Sequence, residues 1–273
     1  MSGILYVVGT PIGNLGDWSD RAKEILQTVD FIAAEDTRVT VKLLNKFNIE
    51  TPMVSYHEHN HKLRDDKIIA RLLAGENCAI VTDAGMPVVS DPGEDLVRLA
   101  HLNGITVSSV PGPSAVITAL AISGMPSGRF SFEGFLSTAK ISRKEHLESL
   151  KYDTRTLIFY EAPHKLLSTL KDMFTVFGNR KIALCKELTK IHETVILTTF
   201  EDAIKDFEVT PPKGEFVLII EGAKEQVSEE ITLEQAVLFA KEKINEGNSP
   251  SMAAKLAANY SGIKKTDIYK MIV

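Results

Sequence analysis

Four short segments rich in glycine and proline punctuate the chain, and each follows an apolar run of the kind that forms a buried strand. They are residues 9–14, 82–87, 111–115 and 161–164. Glycine admits backbone angles that other residues avoid, and proline holds a turn in place. Because ligands of open α/β sheets bind where strands end in such turns, the recurrence predicts an enzyme whose cleft is built mainly from backbone.

The first 122 residues alternate between short apolar runs and segments with helical spacing of apolar residues. Runs such as 4–8, 31–34 and 78–81 predict strands, and amphipathic stretches separate them. This alternation indicates a mostly parallel sheet covered by helices. The glycine- and proline-rich stretch 123–128 interrupts the pattern, so we expect a first α/β domain over residues 1–122.

The second α/β domain is expected over residues 123–224, where the strands are longer and richer in β-branched residues. Two helices, around 164–176 and 201–207, interrupt them. The run 192–200 and the later run 216–220 suggest an antiparallel portion, so the second sheet is predicted to be mixed.

A small helical tail is expected over residues 225–273. Pro250 begins a helix of alanines, Gly262 ends it and a last short helix follows, a pattern similar to a helix-turn-helix. Lysines make the tail locally basic. The alternative is a small bundle that packs on the enzyme or mediates dimerisation.

Composition excludes several classes of protein. Of 273 residues, 44% are apolar and 25% charged, which is ordinary for a globular protein and unlike a disordered chain. No apolar run approaches the length of a membrane span, and no secretion signal is recognisable, so we expect a cytoplasmic location. A formal net charge of −5 argues against nonspecific packaging of nucleic acid.

The sequence predicts no metal site. Cys78 and Cys185 are far apart, each in a strand-like run, and are interpreted as reduced core thiols. The alternating histidines His57, His59 and His61 could bind a metal, but a solvated or substrate-facing loop is the favoured interpretation.

Individual motifs leave alternatives open. Residues 9–16 match neither a dinucleotide fingerprint nor a Walker loop. Asp83, at the exit of a strand, could accept hydrogen bonds from a ligand amine or hydroxyl, or cap a neighbouring turn. Ser114 and Ala115 begin a helix whose free amides can bind polar groups. The dense ionisable run 186–193 suggests either surface salt bridges or a site that handles substrate or protons.

Several motifs together resemble the class III, tetrapyrrole methylase-like methyltransferases, and among them the ribosomal RNA 2′-O-methyltransferases. The motifs are Leu5-Tyr6-Val7-Val8-Gly9-Thr10-Pro11-Ile12-Gly13-Asn14-Leu15, Ala34-Glu35-Asp36-Thr37-Arg38, Ser90-Asp91-Pro92-Gly93 and Cys185-Lys186-Glu187-Leu188-Thr189-Lys190. The long Gly-Thr-Pro-Ile-Gly-Asn-Leu and Asp-Ala-Gly-Met-Pro stretches are the specific ones. The resemblance covers residues 4–222 and, more weakly, the tail.

This resemblance implies two α/β domains with S-adenosylmethionine folded in the cleft between them, and a homodimer. The implied cofactor-binding residues are Pro11, Ala84, Gly85, Met86, Ser114, Ala115, Glu161, Ala162 and Leu188. Porphyrin-acting relatives carry Gly-Gly-Asp-Pro in the second loop, and the aspartate has no match at Met86. Asp83 is therefore added as its candidate substitute.

The substrate implied by the resemblance is the ribose 2′-hydroxyl of cytidine 1402 in 16S RNA, within the small ribosomal subunit. A sugar hydroxyl is a poor acid, so a base should help to remove its proton. Candidates are Glu35, Asp36, Glu161, Lys186 and Glu187. Lys186, with Arg38 and Lys190, could instead hold phosphates. Two alternatives stay open: methylation of a tetrapyrrole or other small molecule, and a non-catalytic role in ribosome assembly.

Overall fold

The computed structural model describes residues 2–57, 61–224 and 231–273. The chain divides into two compact units, the first ending at Ala223 and the second running from Lys224 to Val273. The first unit contains two five-stranded sheets, and the second contains helices only among its described residues. The boundary expected near residue 122 therefore falls inside the first unit, and it stays a prediction.

The first sheet is entirely parallel, with strand order β3-β2-β4-β1-β5. Its strands are β1 (Ile4–Val8), β2 (Phe31–Ala34), β3 (Met53–Ser55), β4 (Cys78–Val81) and β5 (Thr106–Val110), and the helices that alternate with them are α1 (Asp20–Thr28), α2 (Thr37–Lys46), α3 (His61–Leu73) and α4 (Glu94–Leu102). The predicted alternation and parallel pairing are confirmed.

Both faces of this sheet are covered, as its continuous apolar runs require. Successive strand residues point to opposite faces. On one face Phe31 and Ile80 pack with Leu72 of α3 and Leu96 of α4. On the other face, strand residues such as Ile32 and Ala79 pack against Leu26 of α1 and Leu44 of α2.

The second sheet is mixed, with strand order β6-β7-β10-β8-β9. Its elements are β6 (Phe130–Phe135), α6 (Lys140–Ser149), β7 (Thr156–Glu161), α7 (Pro163–Phe177), β8 (Lys181–Lys186), β9 (Thr194–Thr199), α8 (Phe200–Val209) and β10 (Phe216–Ile220). Only β6 and β7 run parallel; the other pairs are antiparallel. The predicted mixed sheet is confirmed, although the two strands that suggested it do not pair, because β8 lies between them.

Helix α5 (Ala115–Ile122) connects the two sheets. It follows β5 of the first sheet, yet Val116 and Ala119 pack against Ile158, Ala183 and Ile219 of the second. Its mostly apolar sequence suits this position. The loop that leads into α5 consequently spans the space between the sheets.

The second unit is built from α9 (Leu233–Asn245), α10 (Pro250–Ser261) and α11 (Lys265–Ile272), so the predicted helical tail is confirmed. Alanines at the helix contacts allow close packing around Ile268. Thr232 and Gln235 form a capping box at the start of α9, and Gly262 ends α10 with a left-handed φ of 73°.

The sequence-based expectation for the two cysteines has a structural counterpart. Cys78 and Cys185 are free and buried, and burial raises the pKa of each thiol, that of Cys185 to about 11. Such thiols are poor nucleophiles. In the described part of the chain, no helix has both the length and the apolar character needed to cross a membrane.

Candidate functional site

The carboxyl ends of β1, β4 and β5 lie side by side, because β1 pairs with both other strands. Their following loops are tied together by backbone hydrogen bonds. Thr10 donates its N–H to the carbonyl of Gly85 at 2.9 Å, and Gly85 returns one to Thr10 at 3.1 Å. The Thr10 hydroxyl donates to the carbonyl of Thr82 at 3.0 Å. Two of the glycine- and proline-rich segments thus form one surface.

The third segment joins this surface by a close backbone contact. A Cβ placed on Gly112 would lie 2.8 Å from Cα of Gly9, so neither position has room for a side chain. Gly85 has a φ of 93°, a conformation that L side chains rarely adopt. The loops therefore need glycine for steric and conformational reasons.

Facing these loops is a cavity of about 500 Å³, within the usual range for small-molecule sites. The first half of the chain contributes Ile12, Ala84, Gly85, Met86, Val89, Ser90, Asp91, Ser114 and Ala115 to its wall, and the second half contributes Phe135, Tyr160, Glu161, Ala162, Pro163, Cys185, Leu188, Glu215, Phe216 and Val217. Both sheets thus build the cavity, and most of its lining is apolar side chain and backbone.

Most of the expected cofactor-binding residues meet in this wall. They are Ala84, Gly85, Met86, Ser114, Ala115, Glu161, Ala162 and Leu188. Pro11 and Asp83 are not part of the described lining. Ile12, the residue that follows Pro11, lines the cavity instead. Ser114 caps α5 without a side-chain hydrogen bond.

Glu161 is held in place by hydrogen bonds within the chain. It is buried at the end of β7, where one carboxylate oxygen accepts from the N–H of Ala162 at 2.8 Å and the other from the hydroxyl of Thr169. These bonds occupy both carboxylate oxygens. They fix the carboxylate in the cavity wall, and its catalytic role stays a prediction.

Lys186 and Glu187 lie outside the described cavity wall. Glu187 has a φ of 51°, and its carboxylate accepts from the N–H of Glu215 at 2.9 Å and from Nζ of Lys190 at 3.1 Å. The hydrogen bond from Glu215, followed by that from Lys190, lowers the pKa of Glu187. Lys190 also contacts the Glu215 carboxylate at 2.8 Å. The salt-bridge interpretation of this segment describes its contacts better than a proton-handling site.

Glu35, Asp36 and Asp83 line a second hollow together with Thr37, Arg38, Ser55 and His57. Hydrogen bonding to Arg38 lowers the pKa of Asp36 to about 2. Asp83 accepts the N–H of Asp36 at 3.2 Å, and burial, followed by the charge of Glu35, raises its pKa. Asp83 therefore caps a neighbouring turn, one of its two expected roles.

Of the histidine run, His57 lies in this hollow, His59 lies outside the described residues, and His61 begins α3. The described residues contain no group of three or more potential metal ligands.

Asp91 was not among the expected site residues, although its Ser90-Asp91-Pro92-Gly93 segment was noted. It lines the cavity, and burial, followed by the charge of Glu35, raises its pKa to about 6. Its neighbour Ser90 has a φ of 66°. The Ser-Asp-Pro-Gly turn that closely follows the loop 82–87 is the sequence signal that could have identified it.

Tyr160 and Phe135 were missed as well. They contact each other in the second sheet, with ring centroids 5.4 Å apart. Burial, followed by the charge of Asp91, raises the pKa of the Tyr160 hydroxyl to about 12. Nothing in the local sequence distinguishes these rings from core residues.

A family model described as tetrapyrrole (corrin/porphyrin) methylases matches residues 4–204. A ribosomal RNA small subunit methyltransferase I from Xylella fastidiosa (strain Temecula1 / ATCC 700964) is 49% identical over 98% of each chain. The proteins of the same name from Bacillus subtilis (strain 168) and Escherichia coli O157:H7 are 44% and 43% identical, over 98% of this chain and 93% and 94% of theirs.

Solved structures agree at the level of the fold. A diphthine synthase superimposes with a TM-score of 0.61 at 13% identity, covering 81% of this chain and 90% of that chain. A cobalt precorrin-4 methyltransferase gives 0.59 at 16% identity, covering 80% and 94%. Similarity at this level of identity describes the architecture alone.

Proposed function

Since the chain belongs to the tetrapyrrole (corrin/porphyrin) methylase family, we propose that it is an S-adenosylmethionine-dependent methyltransferase of small-subunit ribosomal RNA. The observation that carries the substrate assignment is the agreement, along nearly the whole chain, with relatives named for that activity. The cavity between the two sheets is the corresponding candidate site for the methyl donor.

The cavity fits the donor in size and chemistry. Gly85 contributes backbone to the cavity wall, and Ser114 and Ala115 at the start of α5 line the same wall, where a helix N-terminus suits a carboxylate. Met86, Leu188 and Val217 supply apolar surface for an adenine ring and a methylene chain.

The donor, when bound, supplies a methyl carbon already activated by the sulfonium sulfur. The protein then has to align the attacking oxygen with that carbon and exclude water. Alignment alone can contribute about 7–11 kcal/mol to lowering the barrier. Residues of both sheets line the cavity, so they can orient the two reactants from opposite sides.

The proposed target is the ribose 2′-hydroxyl of cytidine 1402 of 16S RNA, in an assembled small subunit. Arg38 stands beside the second hollow with 88% of its side chain exposed, available to a phosphate as well as to Asp36. We further propose a cytoplasmic homodimer, which light scattering coupled to size exclusion would test through the molar mass.

Methyl transfer to ribosomal subunits tests the assignment. Small subunits from a strain that lacks the modification should take up labelled methyl groups from S-adenosylmethionine, and ribose mapping should place them on cytidine 1402. Titration calorimetry should detect binding of the donor to the protein alone. Donor binding with no transfer to subunits, but transfer to a porphyrinogen, would instead select the tetrapyrrole reaction. Absence of both binding and transfer would leave the assembly-factor role.

A further inference from the structure

A buried chain of hydrogen bonds leads from the cavity wall to helix α6. Glu161 lines the cavity and is 5% exposed. One of its carboxylate oxygens accepts from the hydroxyl of Thr169, a fully buried residue of α7. The same hydroxyl oxygen accepts from Nη2 of Arg143 at 2.9 Å. Arg143 belongs to α6 and is not part of the described cavity lining. A residue outside the cavity is thus connected to a carboxylate in its wall.

The directions of these hydrogen bonds follow from the groups that make them. A guanidinium can only donate, and a carboxylate can only accept. The hydroxyl of Thr169 therefore accepts from Arg143 and donates its single hydrogen toward Glu161. Donors and acceptors match along the whole chain, and no group has to change its protonation state.

The hydroxyl of Thr169 has a second acceptor within reach. The carbonyl oxygen of Lys165, one helical turn earlier, lies 3.1 Å from the hydroxyl oxygen, and a threonine inside a helix often donates to that carbonyl. One hydrogen cannot make both bonds at full strength. Arg143 polarises the hydroxyl by donating to its oxygen, and a polarised donor favours a charged acceptor over a neutral one. Arg143 therefore directs the hydrogen of Thr169 to Glu161.

Arg143 is itself held by a second contact with α7. Its Nε lies 2.7 Å from Oδ2 of Asp172, and only 12% of the Arg143 side chain is exposed, against 53% of that of Asp172. A guanidinium can contact two partners at once because its N–H groups point in several fixed directions. The contact with Asp172 fastens α6 to α7, whereas the contact with Thr169 leads to the cavity.

The pattern of α6 explains why Arg143 points inward from a polar helix. Within α6, which the structure describes completely, Leu147 is the only buried residue. Arg143 precedes Leu147 by four residues, so both lie on the same face of the helix. Leu147 packs with Leu166 and Leu170 of α7. The face that buries Leu147 therefore also places Arg143 against α7.

We propose that Arg143 is a positioning residue for the methyl-donor site, which acts through Thr169 to hold the carboxylate of Glu161 in one orientation. A glutamate side chain has three rotatable bonds, and fixing them before the ligand arrives removes a cost that binding would otherwise carry. The inference rests on the proposed function, because it takes S-adenosylmethionine as the ligand of the cavity. It gives the otherwise polar helix α6 a role in ligand binding.

Titration calorimetry of the full-length protein with S-adenosylmethionine measures the effect. Arg143→Met keeps the aliphatic stem but removes the guanidinium, and it should weaken donor binding about 5–10-fold. Thr169→Val removes the hydroxyl and should weaken binding by a similar factor, whereas Thr169→Ser keeps the hydroxyl and should bind as the wild type does. Should Arg143→Met not fold, Arg143→Gln, which keeps a polar head without the charge, replaces it.

Asp172→Asn is the matched control. It weakens the ion pair that fastens α6 to α7 but leaves the hydrogen bond from Arg143 to Thr169 in place. Its donor affinity should stay within about twofold of the wild type, even where its unfolding midpoint falls. A loss in Asp172→Asn equal to that in Arg143→Met would assign the effect to the packing of α6.

A double-mutant cycle separates positioning from a general structural effect. If Arg143 acts through Glu161, Arg143→Met should change donor affinity less than about twofold in a Glu161→Gln background, titrated with the donor up to millimolar concentration. A structural effect of Arg143→Met would instead add to that of Glu161→Gln. In steady-state methyl transfer, Arg143→Met should raise the KM for the donor and leave the KM for small subunits unchanged.

Two results would overturn the inference. One is an Arg143→Met variant that binds the donor within twofold of the wild type, and the other is full additivity of Arg143→Met and Glu161→Gln in folded proteins. If the wild type binds S-adenosylmethionine but transfers no methyl group to small subunits, the proposed function fails instead, and the comparison of donor affinities still decides the role of Arg143.

Discussion

At the scale of single residues, the contact between Gly9 and Gly112 controls the shape of the donor loops. A Cβ on Gly112 would lie 2.8 Å from Cα of Gly9 and 3.0 Å from its carbonyl carbon, and both are backbone atoms that cannot rotate away. We expect Gly112→Ala to push the two loops apart, to weaken donor binding at least tenfold and to destabilise the fold by about 1–3 kcal/mol. Calorimetric titration with S-adenosylmethionine and chemical unfolding measure the two effects.

Gly128→Ala is the matched control. Gly128 has no positive φ, and a Cβ there would meet nothing within 4 Å. Its donor affinity and unfolding midpoint should stay close to those of the wild type. Equal donor affinity in Gly112→Ala and Gly128→Ala would contradict the steric argument.

Ionisation of Asp91 should lower the free energy of unfolding at neutral pH. A folded-state pKa near 6, above the reference value of 3.8, means that the folded protein holds this proton more tightly than the unfolded chain does. The free energy of unfolding therefore falls as pH rises through the window from about 4 to 6. A rise of this size corresponds to about 3 kcal/mol at most, and solvent screening of the partly exposed carboxylate reduces it to about 1 kcal/mol.

Asp91→Asn removes this titration, so the variant should be more stable than the wild type at pH 7. The gain should be about 2–4 °C in Tm and should shrink toward zero as the pH falls to 4. Differential scanning calorimetry across that range measures it. A variant less stable than the wild type at pH 7 would show that Asp91 stabilises the fold.

At the scale of elements, side-chain caps stand at the start of two of the three tail helices, α9 and α10. Thr232 accepts the N–H of Gln235, and the Gln235 side chain accepts the N–H of Thr232 at 2.9 Å. Thr232→Ala should remove the cap of α9 and cost about 1 kcal/mol of local stability.

Amide hydrogen exchange on the full-length protein measures that cost. Exchange should quicken about fivefold in α9, while the protected amides of β4 and β10 keep their rates, because the helices form their own compact unit. Thr232→Ser, which keeps the hydroxyl, should restore protection. Equal exchange in the alanine and serine variants would exclude the cap as the cause.

At the scale of the whole molecule, charge limits how the protein can bind RNA. With a formal net charge of −5 it has no general attraction for phosphate. We expect affinity for small subunits to fall less than tenfold between 50 and 200 mM salt, whereas a protein with six to ten phosphate contacts loses about 10³–10⁵-fold. Fluorescence anisotropy with labelled subunits measures the slope. A loss above 10³-fold would instead indicate a strongly basic RNA-binding surface.

The sequence by itself determined the local structure. Buried strands appear as continuous apolar runs, and turns appear as glycine and proline, because both signals depend on neighbouring residues along the chain. The parallel first sheet, the helical tail and eight of the nineteen described residues of the cavity wall could be predicted for this reason. By contrast β6 and α6 were missed, since Lys140–Ser149 is mostly polar and only Leu147 is buried.

Only the tertiary structure decided which distant groups meet. The adjacency of β2 and β4 places Glu35 beside Thr82, whose hydroxyl donates to its carboxylate, and the packing of α5 on the second sheet accompanies a cavity lined by both sheets. Burial, and with it the basicity of a carboxylate, depends on these neighbours rather than on the residue itself. The sequence could therefore predict the loops that form the cavity, but not the raised pKa of Asp91 within it.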